Sequence, residues 1–156
     1  MQFDFIKATI KDIDLLVATR IETLRAANLL PDSADMTFVE AQSREYYHKC
    51  LENAEHIAYL AYDDRKPVGC GGISFYQVMP TYHNPSGEKA YIMNMYTRPE
   101  YRRRGIANKI LDLLVGEAKQ RNIMEITLEA TAAGRPLYER YGFVQLKDEM
   151  KLPSNS

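Results

Sequence analysis

The chemistry of this chain is concentrated in residues 94–108, Asn94-Met95-Tyr96-Thr97-Arg98-Pro99-Glu100-Tyr101-Arg102-Arg103-Arg104-Gly105-Ile106-Ala107-Asn108. The order is that of an apolar strand end, a proline-set turn, a basic triplet, a glycine and the opening of an amphipathic helix. Such an order makes an anion site. The first turn of a helix leaves backbone N–H groups without intrahelical acceptors and carries the positive end of the helix dipole, so a phosphate or pyrophosphate fits there. Gly105 and Ala107 let the backbone come close to that anion, and Gly105 can take a positive φ. Arg102, Arg103 and Arg104 add charge-assisted donors. Taken singly, the triplet also suits a solvated helix start, and Gly-x-Ala a packing choice.

A second stretch follows at Leu137-Tyr138-Glu139-Arg140-Tyr141-Gly142-Phe143. Arg102-x-x-Gly105-x-Ala107 between a strand and a helix resembles the acetyl-CoA pyrophosphate loop of the GNAT N-acetyltransferases. The second stretch resembles that family's C-terminal Leu-Tyr-Glu-Lys-x-Gly-Phe element. Order and spacing agree for both, and the likeness runs from about Tyr91 to Val144; the N-terminal half is similar only in its pattern of elements.

The elements that must position these stretches can be read in order. Phe3 to Lys7 alternates as a strand, and Thr9-x-x-Asp12 offers a helix N-cap with an acidic first turn. Ile13, Leu16, Val17, Ile21 and Leu24 then form one helical stripe. A second helix spans Thr37 to Asn53, with Phe38, Ala41, Tyr46 or Tyr47, and Leu51 as inner positions. Ile57–Tyr62 and Val68–Val78 read as a hairpin closed by Asp63-Asp64-Arg65-Lys66-Pro67, with Cys70-Gly71-Gly72 marking a bulge or a close approach. Residues 79–88 are loop, and Ala90 to Tyr96 is a strand. The helix from Ile106 carries Ile106, Ile110, Leu113, Leu114 and Ala118 inward.

Ile123 to Ala130 is a strand, parallel to the one before because a crossover helix joins them. Ala132 to Arg140 is a short helix, and Phe143–Leu146 and Met150–Leu152 are final strands. The periodicity supports an α/β chain with one parallel crossover. The resemblance implies the GNAT acyltransferase fold, a central mixed sheet flanked by helices in the order β-α-α-β-β-β-α-β-α-β-β, with one domain over 1–152 and a polar tail at 153–156.

With 156 residues, 46% hydrophobic, 26% charged and a formal net charge of −1, the composition is that of a soluble globular protein. The basic patch is three residues wide, which argues against a nucleic-acid partner. No apolar run is long enough to cross a membrane, and the N-terminus lacks a secretory pattern. Cys50 and Cys70 make no metal-ligand spacing with His48, His56 and His83, so no metal is expected, and idle thiols suit the cytoplasm.

The resemblance implies direct acetyl transfer from acetyl-CoA to an amine acceptor, a small molecule or a protein or peptide amine. It implies that the backbone of Met95, Tyr96 and Thr97, on a bulged strand that splays from its parallel neighbour, holds the pantetheine arm. A donor near Met95 would face the thioester carbonyl, and the segment Arg103, Arg104, Gly105, Ile106, Ala107 and Asn108 would take the pyrophosphate. Tyr138 stands where the family's general acid stands, with packing against the sheet as the alternative. Many relatives carry a glutamate on the bulged strand, but Ala90 to Met95 holds no carboxylate. Glu129, Glu22 and a chain of waters are the alternatives for the base. Thr131 is the candidate stand-in for an asparagine that binds the cofactor in relatives.

The first two helices and the His83 loop should wall the acceptor pocket, in which Tyr46, Tyr47, Tyr76, Tyr82, Tyr91 and Tyr96 suggest an aromatic cleft and Glu22 or Glu129 a seat for a cation. A non-catalytic acyl-CoA-binding module is the alternative to an enzyme. Relatives often pair, so a homodimer is the assembly the resemblance allows.

Overall fold

The structure, a computed structural model, describes residues 2–154; of the polar tail expected at 153–156, Asn155 and Ser156 lie outside the described residues. The elements are β1 (Asp4–Lys7), α1 (Ile13–Ala27), α2 (Thr37–Glu52), β2 (His56–Asp63), β3 (Lys66–Gln77), β4 (Glu88–Thr97), α3 (Ile106–Gln120), β5 (Ile126–Leu128) and α4 (Arg135–Tyr141). They build a five-stranded sheet in the order β1-β2-β3-β4-β5. The first three pairings are antiparallel and β4–β5 is parallel.

Local chemistry accounts for the element ends. Thr9 and Asp12 form a capping box, the Thr9 N–H donating to Asp12 Oδ2 at 2.8 Å, and a single 3-10 turn then leads into α1. Asp64 takes a φ of 58°, in the left-handed region that Asp tolerates, and closes the β2–β3 hairpin.

The sheet separates two cores. On one face Ile106, Ile110, Leu111, Leu114 and Ala118 of α3 cover Ile57, Ala61, Ile73 and Ile92. On the other, Ile13, Leu16 and Val17 of α1 and Tyr47 of α2 cover Ala58, Leu60 and Cys70. Each fully buried Leu or Ile contributes about 1.5–3 kcal/mol by leaving water. The glycine pair in β3 marks a close approach: a Cβ on Gly71 would stand 2.6 Å from Ile110 Cγ2 and from Met95 Sδ. Only Tyr47 and Cys50 of α2 are buried, while Phe38 in its first turn is 78% exposed, so the inner face of α2 is confined to its C-terminal half.

Two expectations need correction. The strands expected at Phe143–Leu146 and Met150–Leu152 are absent, and the described chain runs β-α-α-β-β-β-α-β-α. Phe143 packs against the α3 core, whereas Val144, Leu146, Met150 and Leu152 are exposed. β5 is only three residues long, so its outer edge offers few ladder bonds to offset the entropy of ordering another strand, about 1–2 kcal/mol per residue. β5 itself is shorter than the expected Ile123–Ala130. Ile123 is instead tied to the end of α3, its N–H on the Ala118 carbonyl at 2.9 Å.

Candidate active site

β4 changes character half-way along. Ala90, Tyr91 and Ile92 pair with β5 on one side and with β3 on the other. Beyond Ile92 the pairing with β5 stops, and the register against β3 slips between Gly72↔Met93 and Cys70↔Tyr96. The slip is a bulge centred on Asn94, which takes a φ of 59°. Asparagine tolerates that region because its short amide bonds locally. Here Asn94 Oδ1 accepts from Arg20 Nη1 at 3.1 Å, and the Asn94 carbonyl accepts from the Cys70 thiol at 3.3 Å. Past the bulge, Met95, Tyr96 and Thr97 therefore keep β3 as neighbour and turn an unladdered edge toward a gap between β4 and β5.

The turn after β4 is fastened at several points. Arg98 makes two 3.2 Å hydrogen bonds to the Glu22 carboxylate on α1, and its N–H reaches the Val68 carbonyl at 2.9 Å. Arg102 Nε donates to the Thr97 carbonyl at 3.0 Å, while its guanidinium lies 5.9 Å from the Tyr96 ring centroid. Gly105 caps α3 in the left-handed region, with φ 84°. The conformation favours glycine, whereas a Cβ there would project into open space and meet nothing within 4 Å. Lys109 is the first α3 residue to find a carbonyl one turn back, that of Gly105 at 3.1 Å. The N–H groups of Ile106, Ala107 and Asn108 precede it and have no intrahelical acceptor. Arg103 and Arg104 are exposed beside them, Arg104 stacked 5.3 Å from the Tyr101 ring centroid.

Tyr138 lies on α4, buried, its ring edge-on to Phe143 at 6.1 Å. Burial raises its phenol above the ordinary value, and its hydroxyl makes no hydrogen bond to the described residues. It lines a cavity of about 550 Å³ beside β5 together with Ile126, Leu128, Arg135 and Phe143, and no residue of β4 or of the 102–108 turn borders that space. Thr131 accepts the Gly134 N–H at 3.1 Å and so helps to start α4. Thr131 Oγ1 and Tyr138 Cε2 flank Gly134, at 3.3 and 3.1 Å from a Cβ built there.

Among the carboxylates, Glu22 is engaged by Arg98 and is not free to act as a base or to seat a cation. Glu129 is exposed just beyond β5; Thr127 pairs with Tyr91 on the α1–α2 face of the sheet, and the Glu129 charge acts on the Tyr91 phenol there.

A cluster that the sequence did not suggest lies on that same face. Tyr46 Oη is 2.6 Å from Ser74 Oγ and 2.9 Å from His56 Nδ1, and Ser74 Oγ is 3.4 Å from Met93 Sδ. His56 is 2% exposed, and its Nε2 has no hydrogen-bond partner among the described residues. Burial, and after it the Arg20 charge, brings its pKa down to about 4, so the ring is neutral near pH 7. Tyr46, His56, Met93, Asn94, Arg20 and Tyr47 border a cavity of about 210 Å³. Of the other tyrosines expected to form a cleft, Tyr76 and Tyr82 are exposed, at 42% and 91%, and Tyr96 packs against the α1–α2 core. Among the described residues no cluster of His, Cys, Asp and Glu could hold a metal ion, and no helix is long and apolar enough to cross a membrane.

Comparison with known proteins adds to this geometry. Residues 23–143 match the model of the acetyltransferase (GNAT) family. The "Uncharacterized N-acetyltransferase YafP" of Escherichia coli K12 is 36% identical over 59 residues, which are 38% of this chain and 36% of that protein. A "predicted acetyltransferase" of Clostridium acetobutylicum, crystallised with acetyl-CoA, superposes with a TM-score of 0.89 at 37% identity, covering 97% of this chain and 96% of that one. A GCN5-related N-acetyltransferase of Ralstonia eutropha JMP134 shares the fold, with a TM-score of 0.82 at 24% identity and coverage of 99% and 100%.

Proposed function

The chain belongs to the GNAT acetyltransferase family, and from that premise we propose that it transfers an acetyl group directly from acetyl-CoA to an amine nitrogen. The observation that carries this reading is the continuous path from the Asn94 bulge to the left-handed Gly105. An unladdered edge at Met95, Tyr96 and Thr97 leads into the amides of Ile106, Ala107 and Asn108, which have no intrahelical acceptor. An extended amide-bearing arm ending in a pyrophosphate fits these groups. The arm would bond the strand edge, and the anion would sit on the amides and the helix dipole, with Arg103 and Arg104 adding charge.

Acetyl-CoA supplies an acetyl thioester: the amine nitrogen forms a bond to the acyl carbon, the carbon–sulfur bond breaks, and CoA leaves as the thiol. The protein has three tasks in that exchange. A strand N–H near Met95 offers a fixed donor where negative charge develops on the carbonyl oxygen, an interaction worth about 3–4 kcal/mol when well aimed. Tyr138, protonated and with an unengaged hydroxyl, is assigned as the acid for the departing sulfur. The proton lost by the amine passes to Glu129, or to water, on the α1–α2 face. Thr131, beside Tyr138, has a hydroxyl proton left for the cofactor.

The test is thiol release from acetyl-CoA across a broad amine panel. Turnover with some amines is expected. Tyr138→Phe should lower kcat by about 100-fold or more while leaving acetyl-CoA affinity unchanged; equal kcat in the variant removes Tyr138 from this role. A second reading, a non-catalytic acyl-CoA-binding module, is favoured by one observation: β4 bears no carboxylate past the bulge, and Glu22 is held by Arg98. Such a protein would bind acetyl-CoA and release no thiol with any amine.

A further inference from the structure

The cavity of about 210 Å³ on the α1–α2 face is smaller than the roughly 300–1,000 Å³ of drug-sized ligand sites. It has room for an amino-acid-sized molecule or the tip of a larger one. Its walls are polar in a particular way. No carboxylate borders it, His56 is held neutral, and Arg20 is its ionised side chain. Arg20 is half-buried, and the Asn94 amide is its only hydrogen-bond partner among the described residues; it makes no ion pair with them. The Glu22 carboxylate two positions along α1 belongs to Arg98. Nη1 is used on Asn94 and the rest of the guanidinium fork is not, and that fork matches the two oxygens of a carboxylate.

The placement matters as much as the charge. Asn94 is the bulge residue, so the Arg20 guanidinium and the point where β4 parts from β5 are one hydrogen bond apart. Glu129 lies just beyond β5, at the far side of that gap. Electrostatics agree with this layout. The phenols of Tyr46, Tyr47 and Tyr91 are raised chiefly by burial, and each also feels the Arg20 charge; Tyr91 feels the Glu129 charge as well. Positive and negative groups thus bracket Tyr91. A zwitterion with its anion on Arg20 and its amine toward the gap would meet both, whereas a polycation would face an uncompensated arginine.

We propose that this cavity is the acceptor site and that Arg20, held by Asn94, seats a carboxylate, so that the preferred acceptors are small amines carrying a carboxylate, free amino acids foremost. The inference rests on the acetyl-transfer reading above. Two measurements separate the two. In the first, thiol release from acetyl-CoA is followed with the L-amino acids and with matched amines lacking the carboxylate. These are isoamylamine against L-leucine and phenethylamine against L-phenylalanine, with spermidine and phosphoethanolamine as further arms. In the second, the same amino acids are titrated calorimetrically into the CoA-loaded protein.

At least one amino acid should bind, and it should exceed its decarboxylated partner in kcat/KM by about tenfold to a hundredfold, the worth of one charge-assisted pair. Arg20→Gln should lose that advantage through KM at unchanged acetyl-CoA affinity, and Arg20→Lys should restore part of it. Turnover of the bare amines or spermidine at rates equal to or above the amino acids overturns the proposal and leaves acetyl transfer standing. Preference for phosphoethanolamine overturns the carboxylate assignment, and no calorimetric binding of any amino acid overturns it as well. Failure to release thiol with any of these amines overturns the proposal together with acetyl transfer itself. If Arg20→Gln does not fold, the paired amines decide alone.

Discussion

On the α3 side of the sheet, Ile110, Leu111 and Leu114 are fully buried among Ile73, Ile92 and other apolar side chains. On the α1–α2 side, leucine and valine share the interior with Thr19, Thr23, His56 and Cys70. Thr19 and Thr23 return their hydroxyls to their own helix, on the Leu16 and Thr19 carbonyls at 2.9 and 2.7 Å. Cys70 is fully buried with its thiol pushed up to about 11, chiefly by burial, so it stays protonated. A core that carries polar groups at this density gives up hydrophobic stabilisation on that side. What it gains is a wall of hydrogen-bonding groups against the bulged half of β4. The difference separates a scaffold face from a working face of one sheet.

That contrast can be broken by substitution. Leu114→Ala on the scaffold face should cost about 2–5 kcal/mol in urea unfolding, through lost transfer energy and the cavity left behind. A loss under about 1 kcal/mol would mean that the α3 face is not the close-packed one.

On the working face the expected effect depends on pH. The His56 pKa is lowered to about 4 from 6.5, so the unfolded chain takes up a proton over that interval which the folded chain refuses. The stabilisation is whole above pH 6.5 and is lost as pH falls toward 4, by up to about 3 kcal/mol. Wild type should therefore lose more stability between pH 7 and 4.5 than His56→Gln does. Equal losses would show His56 to be solvated.

The smallest effect is expected at Glu22→Gln. The Arg98 pair is partly exposed, so unfolding should change by less than about 1 kcal/mol, and thiol release should persist. Abolished turnover with intact acetyl-CoA binding would restore Glu22 as the base.

Local signals in the sequence were enough for much of the scaffold. The Thr9–Asp12 box, the Asp64 turn and the apolar stripe of α3 each depend on residues close together in the chain, and each forms. The working face depends on register, which such signals do not carry. A plain two-residue hairpin would pair His56 with Ile73. The irregularity between Ala61 and Tyr62 moves the pairing by one residue and sets His56 opposite Ser74, on the Tyr46 side. Likewise nothing in Ile92-Met93-Asn94-Met95 marks Asn94 as left-handed, and the Glu22–Arg98 and Arg20–Asn94 contacts span 76 and 74 residues. Alternation in Phe143–Leu146 suggests a strand but says nothing about whether a neighbouring edge is long enough to receive it, and β5 is only three residues long.

The central claim is that the amides behind Gly105 hold the pyrophosphate of acetyl-CoA. Gly105→Val tests it most directly, because the new Cβ would meet no protein atom within 4 Å, while a β-branched residue resists the left-handed φ at a cost of about 1–2 kcal/mol and projects into the space outside. Calorimetric titration with acetyl-CoA should give saturable binding to wild type and an affinity at least about tenfold lower in the variant, with the fold retained by circular dichroism. Equal affinity in the two proteins, or no binding to wild type, would contradict the account.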